Sequence, residues 1–133
     1  MTKDEIIELF SNDRFATRQA GVSIVEAGER YARCEMEITG CHLNAMGKVM
    51  GGALFTLADL AFAVAANHDK LEWVSTTSTI NYLSSACSGT LTAEAHCLKQ
   101  GRRSCVYSIN IRKADSTTVA VVTTTGTKLS VSA

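Results

Sequence analysis

A long, almost uninterrupted apolar segment constrains the fold of this chain more than any other feature. Residues 51–67 are mostly alanine, leucine, phenylalanine and valine, and Asp59 is the only ionisable residue among them. These are good or acceptable helix formers, and a helix that is apolar on nearly all sides is normally buried. We therefore predict a buried helix from Gly51 to about Asn67. Such a helix needs a curved sheet around it or a second copy of the chain over it, which predicts an α+β architecture and, in the second case, a dimer.

The segments on either side of this helix are patterned as strands. Thr2 and Glu5 form a capping-box pair that opens a short amphipathic helix ending near Asn12. Apolar and polar residues alternate strictly over residues 32–38, as in a half-buried strand. The predicted strands are residues 21–25, 32–38, 73–83, 91–97, 105–111 and 117–131. We expect them to be antiparallel, with the last four in a meander, because short turns cannot make parallel crossovers.

Length and charge narrow the class of protein. With 133 residues and no proline or linker-like segment, we expect a single domain spanning residues 1–133. Basic and acidic residues balance at 13 each, so nothing points to a nucleic-acid partner. The N-terminus lacks the apolar run of a secretory signal. The most apolar stretch, residues 53–66, is shorter than the ~20 residues of a bilayer span, so we expect a soluble protein without membrane contact.

The cysteines favour a reducing compartment. There are five, an odd number, and no two are spaced as C-x-x-C, which argues against a disulfide framework or a zinc knuckle. His96 has no second ligand at metal-binding spacing, so we predict no metal site. Together these features favour a cytoplasmic location.

The segment from residue 42 to residue 59 carries the candidate chemistry. Gly51 and Gly52 leave the first amides of the helix uncovered, and these amides have no acceptor within a helix. With the helix dipole they could hold a carbonyl oxygen that becomes an oxyanion. The alternative is that the two glycines only permit a tight turn or close packing.

Asp59 is the candidate catalytic carboxylate. Burying a carboxylate is costly unless it is paired or hydrogen-bonded, so its presence in an apolar helix points to function. The alternative is an exposed residue on a wet stripe of the helix. Asn44, in the loop before the helix, could orient water or a carbonyl, although asparagine is also common in ordinary turns. His42 is a weaker candidate, which we expect at the surface.

A basic turn provides a possible phosphate site. Lys99, Arg102 and Arg103 flank Gly101, and such side chains are natural partners of phosphate groups. The alternative is a solvated, charged hairpin without a ligand.

Taken together, these residues resemble the hot-dog-fold thioesterase superfamily, and within it the phenylacetic-acid-degradation (PaaI-like) acyl-CoA thioesterases. The family pattern is H-x-N-x-x-G-x-x-H-G-G followed by a long helix with an aspartate. The matching positions are His42, Asn44, Gly47, Met50, Gly51, Gly52 and Asp59. Residues 80–86 and 98–103 resemble the strands that follow in the family, and the resemblance extends from about Gly21 to the end of the chain.

The resemblance implies a fold and a site. The helix would be wrapped by a curved antiparallel sheet, and two subunits would join their sheets into one, with dimers often pairing again. The site would lie between subunits: Asp59 as base or nucleophile would face Asn44 and Gly51 of the other copy, with Ser75 in a supporting position. The basic residues Arg102 and Arg103, together with Lys99 and Gly52, would bind the CoA part of the substrate. No separate cofactor is implied.

Met50 departs from the family pattern, which has histidine before the two glycines. Methionine neither titrates nor hydrogen-bonds strongly, so this departure bears on the rate and the substrate more than on the reaction class. Hydrolysis of an acyl-CoA thioester is the leading hypothesis. A non-catalytic acyl-CoA-binding protein is the alternative, and a hydratase is a third, although no histidine is expected near Asp59. The acyl group is not identified by the sequence.

Overall fold

The computed structural model describes residues 1–129 and contains two α-helices and six strands. The helices are α1 (Lys3–Phe10) and α2 (Gly51–Ala66). The strands are β1 (Val22–Gly28), β2 (Tyr31–Glu37), β3 (Trp73–Tyr82), β4 (Thr90–Gln100), β5 (Ser104–Lys113) and β6 (Thr118–Lys128). A π-helical turn (Phe15–Gln19) follows α1, and a 3-10 turn (Gly40–His42) precedes α2. The predicted helices and strands are confirmed, except that the predicted end of the last strand, residues 130–131, lies outside the described residues.

The six strands form one sheet in the order β1-β2-β4-β5-β6-β3, and all the strand pairs are antiparallel. The predicted four-strand meander is wrong for β3, which pairs with β6 at the far edge of the sheet and not with β4. Only β4, β5 and β6 form a meander. The prediction assumed that strands adjacent in sequence are neighbours, which is a tendency with many exceptions. Here β4 returns to pair with β2, so β3 is left at the edge.

Helix α2 lies in the concave face of this sheet and forms the centre of the core. Nine of its residues are buried, and they pack on the inward-facing residues of the strands, which alternate with exposed or half-buried ones as predicted. Phe62 of α2 contacts Tyr107 of β5 edge to face, with ring centroids 5.3 Å apart. This is a common favourable arrangement of two aromatic rings.

Gly126 allows the sheet to approach the helix at its closest point. A Cβ atom at Gly126 would lie 2.9 Å from both the Cys105 Sγ and the Phe62 ring, and 3.0 Å from the Val74 carbonyl oxygen. No larger residue fits there without movement of buried groups. Glycine is therefore required at this position by close packing, a requirement that the sequence pattern does not reveal.

Strand β3 forms one edge of the sheet, and its outer backbone groups face away from the rest of the chain. All of its residues are exposed except Trp73, Ser78 and Ile80. Apolar side chains lie exposed along this edge, with 41% of Val74, 53% of Tyr82 and 60% of the adjoining Leu83 accessible. A ten-residue edge of this kind is a ready template for pairing with another strand. Within residues 1–129, no helix is long and apolar enough to cross a bilayer.

Candidate functional site

The first turn of α2 leaves backbone amides without partners. Met50 is the N-cap residue, and its side chain makes no capping hydrogen bond. Its carbonyl oxygen accepts from Ala53 and Leu54 at 3.0 and 3.3 Å. Among residues 1–129, the amides of Gly51 and Gly52 have no acceptor. Two N–H groups and the positive end of the helix dipole are therefore available to an oxygen atom of a ligand.

Tyr82, at the end of β3, lies directly against Gly51. A Cβ at Gly51 would be 2.7 Å from the Tyr82 hydroxyl oxygen and 2.9 Å from the ring carbon that carries it. A side chain at this position would therefore displace the Tyr82 ring, which is about half exposed. These two residues line one pocket of about 400 Å³. Its other lining residues are Asn44, Lys48, Val49, Leu54, Leu83, Ser84 and Ser85.

Asn44 is held in one orientation by its own loop. Its Oδ1 accepts hydrogen bonds from the amides of Met46 and Lys48, at 2.9 and 3.1 Å. Because both partners are donors, they also determine which side-chain atom is the oxygen. The Asn44 NH₂ group has no acceptor in the described part of the chain, so it is free to donate to a carbonyl or a water. The predicted proximity of Asn44 and Gly51 is present within one chain.

Asp59 is half-buried two turns further along α2. It lines a separate pocket of about 390 Å³ together with Asp13, Arg14, Phe15, Ala16, Phe55, Thr56 and Leu60. Burial raises the pKa of Asp59 above its ordinary value, and the negative charge of Asp13 raises it further. No lysine, arginine or histidine nitrogen lies within 4.0 Å of the Asp59 carboxylate in residues 1–129. This carboxylate is therefore not stabilised by an ion pair within its own chain.

Asp59 and the bare amides do not meet within one chain. Eight residues of helix separate Asp59 from Gly51, which is a rise of roughly 12 Å, and the two residues line different pockets. A single copy therefore presents two separate sets of groups. The Asp59 carboxylate can accept a proton, and the Gly51 amide and the Asn44 NH₂ group can donate hydrogen bonds to an oxygen atom of a ligand. A site that uses both needs a second copy of the chain.

An apolar pocket connects with the Asp59 pocket along the helix. It measures about 490 Å³ and shares Phe15 and Thr56 with the Asp59 pocket. The other residues that line it are Gln19, Ala20, Cys41, His42, Met50, Gly52 and Ala53. The Thr56 hydroxyl donates to the Gly52 carbonyl at 2.9 Å, so it is committed to the helix backbone. The Phe15 ring is 68% exposed and forms an apolar wall common to both pockets.

His42 is buried, so the prediction of a surface residue is wrong. Its Nδ1 accepts from the Thr39 amide at 2.9 Å, and its Nε2 lies 2.7 Å from the Ala20 carbonyl oxygen. An Nδ1 that accepts leaves the proton on Nε2, which donates to Ala20. The ring thus ties the π-helical turn to the entrance of α2, and the His42 carbonyl also accepts from the Met50 amide at 2.9 Å. Neither this histidine nor His68 or His96 lines the Asp59 pocket.

The remaining predicted residues lie apart from Asp59 in the single chain. Ser75 is exposed on β3 and pairs in register with Gly126. Because directly opposed residues of antiparallel strands point to the same face, Ser75 faces the side of the sheet on which Phe62 packs. Arg102 and Arg103 line a shallow pocket of about 380 Å³ whose other lining residues are Thr127, Lys128 and Leu129. Lys99 is exposed nearby on β4 but does not line this pocket.

Sequence reasoning did not identify Tyr82, Asp13 or Phe15 as site residues. Tyr82 and Phe15 have ordinary positions in a strand end and a connecting turn, and Asp13 follows a short surface helix. Their proximity to Gly51 and Asp59 arises from chain crossings that no local pattern encodes. For Tyr82 and Phe15 the sequence offered only an indirect signal. Each is an aromatic residue at the end of an element or in a turn, where its own element provides no side chain for it to pack against.

An antiparallel sheet curled around one long helix defines the hot-dog fold, and the chain is similar to solved structures of that fold. One is the PaaI protein from the phenylacetic acid degradation operon of Escherichia coli, with a TM-score of 0.85 and 29% identity over 97% of both chains. Another is a hypothetical thioesterase protein with coenzyme A from Streptococcus pneumoniae TIGR4, with a TM-score of 0.80 and 25% identity, covering 90% of this chain and 96% of that one.

The sequence comparisons place the chain within a family. The profile of the Thioesterase superfamily matches residues 46–120, and the chain belongs to this superfamily. It is 38% identical over 114 residues to the acyl-coenzyme A thioesterase PaaI of Escherichia coli K12, covering 85% of this chain and 81% of that protein. It is 31% identical over 111 residues to human acyl-coenzyme A thioesterase 13, covering 80% and 79% respectively. The predicted resemblance and the predicted hot-dog fold of the single chain are thereby confirmed, whereas the predicted dimer stays a prediction.

Proposed function

We propose that this protein hydrolyses acyl-CoA thioesters to a free carboxylic acid and CoA. The observation that carries the proposal is a half-buried Asp59 carboxylate that has no cation partner among residues 1–129, on the same helix as glycine amides that are unpaired in that part of the chain. A half-buried carboxylate is costly to keep ionised unless a ligand or a reaction uses it, and the unpaired amides are available to an oxygen atom of a ligand. Relatives from Escherichia coli and human carry the name acyl-CoA thioesterase, which supports the same reaction here.

The complete site in this proposal is formed by two copies of the chain. Asp59 of one copy faces Gly51 and Asn44 of the other. The free edge of β3, with Val74, Tyr82 and Leu83 exposed, supports the joining of two sheets into a continuous one. In that arrangement the protein is a homodimer or a dimer of dimers. The chain acts as one domain, residues 1–133.

The reaction proceeds by addition and elimination at the thioester carbonyl. The Asp59 carboxylate accepts a proton from water as the water oxygen attacks the carbonyl carbon. Negative charge develops on the carbonyl oxygen, where the Gly51 amide donates a hydrogen bond. The tetrahedral intermediate collapses, the carbon–sulfur bond breaks, and CoA leaves as a thiolate that takes up the proton held by Asp59. Asn44 orients the water or the carbonyl through its free NH₂, and Ser75 supports Asp59 from β3.

The substrate is held at both of its ends. Arg102 and Arg103, with Lys99, bind the phosphate groups of CoA, which is part of the substrate and not a separate cofactor. The Gly52 amide, at the start of α2, binds the CoA part of the substrate nearer the thioester. Neither arginine has a carboxylate within 4.0 Å among residues 1–129, which leaves both charges available to phosphate. The apolar pocket bounded by Phe15 and Met50 suits an aliphatic or aryl acyl group. Five free cysteines support a cytoplasmic location.

The proposal is tested by thiol release over a panel of acyl-CoAs with aryl-acetyl, short and medium chains. Wild-type protein should release thiol from at least one of them, and Asp59→Asn should abolish nearly all turnover while the fold is retained. Asp4→Asn, which removes an exposed carboxylate in the first turn of α1, is the matched control and should retain the wild-type rate. Wild-type rates for Asp59→Asn on every cleaved thioester would show that the mechanism is wrong.

Met50 supports a second candidate function, a non-catalytic acyl-CoA-binding protein. The position that precedes the glycines carries a partly exposed thioether at the helix start, and this group cannot transfer a proton. The same panel separates the two functions. Tight binding of acyl-CoA without thiol release from any substrate favours the non-catalytic binding protein. Hydration of an enoyl-CoA would point to the third hypothesis, a hydratase.

A further inference from the structure

A second carboxylate, Asp13, reaches the Asp59 pocket from a different part of the chain. Asp59 comes from α2, whereas Asp13 lies between α1 and the π-helical turn and lines the same pocket of about 390 Å³. The lining between them is partly apolar and includes Phe15, Phe55 and Leu60. Asp13 is exposed and Asp59 is half-buried, and where two carboxylates line one pocket the negative charge of one disfavours ionisation of the other.

The position of Asp13 is fixed by its backbone. Its amide donates to the Phe10 carbonyl at 2.9 Å. Its carbonyl accepts from both the amide and the hydroxyl of Thr17, at 3.0 and 2.9 Å. Phe10 is only 3% exposed and belongs to the core, and the far end of this segment is tied at Ala20 by buried His42. The carboxylate is therefore carried by an anchored turn and not by a freely moving loop.

Neither carboxylate forms an ion pair within the described part of the chain. Neither Asp13 nor Asp59 has a lysine, arginine or histidine nitrogen within 4.0 Å in residues 1–129. Arg14 is the only basic residue that lines the pocket, and α2 itself carries no other ionisable group. Loss of hydration raises the pKa of Asp13. Burial, and then the charge of Asp13, raise the pKa of Asp59.

We propose that Asp13 is a positioning residue for the proposed hydrolysis: its carboxylate, carried by an anchored turn to the pocket that Asp59 also lines, strengthens Asp59 as the base that takes a proton from water. The inference rests on the proposed function. A carboxylate with an ordinary proton affinity is a weak base near neutral pH. A neighbouring negative charge raises that proton affinity, and so makes the carboxylate a stronger base, without taking part in the reaction. Asp13 itself forms no bond with the substrate in this account.

The test compares Asp13→Asn with wild type in two titrations. In the first, the acid limb of kcat/KM against pH should move to lower pH, with a plateau rate lower by roughly 2- to 10-fold because Asp59 becomes a weaker base. In the second, carbon NMR of the Asp59 carboxyl group should show its titration midpoint moving in the same direction. Asp13→Glu retains the charge and should restore the midpoint toward wild type. Asp4→Asn, on the same N-terminal segment but outside the pocket, should move neither titration.

The outcomes separate this inference from the proposed function. If Asp59→Asn remains fully active, the proposed function fails. If Asp59→Asn is inactive but the NMR midpoint of Asp59 is unchanged or rises in Asp13→Asn, then only the role of Asp13 is overturned, whatever the rate of that variant. The NMR readout does not depend on turnover, and it also reports whether the variant is folded.

Discussion

The two ends of helix α2 differ in whether side chains of the protein hydrogen-bond to the nearby backbone groups. At the C-terminal end, Asn67 is 3% exposed, and its side chain makes four hydrogen bonds. The Nδ2 group donates to the carbonyls of Ala63 and Trp73 at 2.9 and 3.1 Å, and Oδ1 accepts from the amides of Glu72 and Trp73 at 2.8 Å each. At the N-terminal end, Met50 gives no side-chain cap, and the amides of Gly51 and Gly52 are unpaired within residues 1–129.

This difference indicates that stability and function are located at opposite ends of one element. Every helix begins with amides that need acceptors, and a serine, threonine or aspartate N-cap would supply one at no cost in packing. The chain closes the C-terminal end with the Asn67 side chain and leaves the amides of Gly51 and Gly52 without an acceptor within residues 1–129; in the proposed function an oxygen atom of the substrate takes that place. The comparison predicts that substitutions at the N-terminal end of α2 lower mainly the activity, whereas substitutions at the C-terminal end lower mainly the stability.

Gly51→Val should have the largest effect, and on activity. Its Cβ would lie within 3 Å of the Tyr82 side chain, so the ring and the bare amide cannot keep their present geometry. Losing one oxyanion donor lowers the rate by on the order of 100- to 1000-fold. Steady-state kinetics on the best acyl-CoA substrate measures this. Gly28→Val, at a position where a Cβ meets nothing within 4 Å, is the control. An active Gly51→Val variant would break the comparison.

Asn67→Ala should have its main effect on stability. It removes one side chain that satisfies four backbone groups, and buried groups left unpaired destabilise the fold, here by about 2–4 kcal/mol in the free energy of unfolding. The rate per folded molecule should remain close to wild type. Chemical denaturation with parallel kinetics tests both statements. Asn12→Ala removes an exposed asparagine with a single bond to the Leu9 carbonyl and should be nearly neutral.

Two glycine-to-alanine substitutions sharpen the comparison through packing. Gly126→Ala meets buried Phe62, the Cys105 thiol and a backbone carbonyl, so we expect a loss of about 1–3 kcal/mol. Gly51→Ala meets only the half-exposed Tyr82 ring, which can swing toward solvent, and alanine is the better helix former. Its unfolding midpoint should therefore be unchanged or slightly higher. Equal destabilisation of both variants would contradict this view of the N-terminal end.

Asp59→Asn should change stability by the smallest amount, and in the stabilising direction. Burial raises the folded-state pKa of Asp59 above the unfolded value of about 3.9. The associated stability is fully present below that unfolded value and is lost as the pH rises through the folded pKa. Asparagine avoids this loss, so its thermal midpoint should exceed that of wild type at pH 7, and the two should converge at acidic pH. A less stable variant at pH 7 would indicate that the carboxylate has a favourable partner.

The sequence was sufficient to predict the helices and strands but not to predict which of them lie next to each other. Helix α2 and the alternating strands were predictable because burial requires apolar residues at a regular spacing, which can be read from the local sequence. The position of β3 beside β6 was not, since pairing depends on how the chain crosses the sheet. The burial of His42 was missed because its partner, the Ala20 carbonyl, is a backbone group without a sequence signature. Asp59 stood out because a charge in an apolar helix is locally anomalous, whereas Asp13 shares a pocket with it only because two distant segments of the chain meet there.

Mixing two inactive variants tests most directly whether the site is shared between copies. Asp59→Asn and Gly51→Val each remove one half of the proposed site. In a randomly assorted two-fold dimer, half of the molecules carry both variants and regain one intact site, which restores about a quarter of wild-type activity. Refolding or co-expressing the two chains together should give this recovery. A mixture as inactive as its parents, with mixed dimers shown to be present, would contradict a site built from Asp59 of one copy and Gly51 of another.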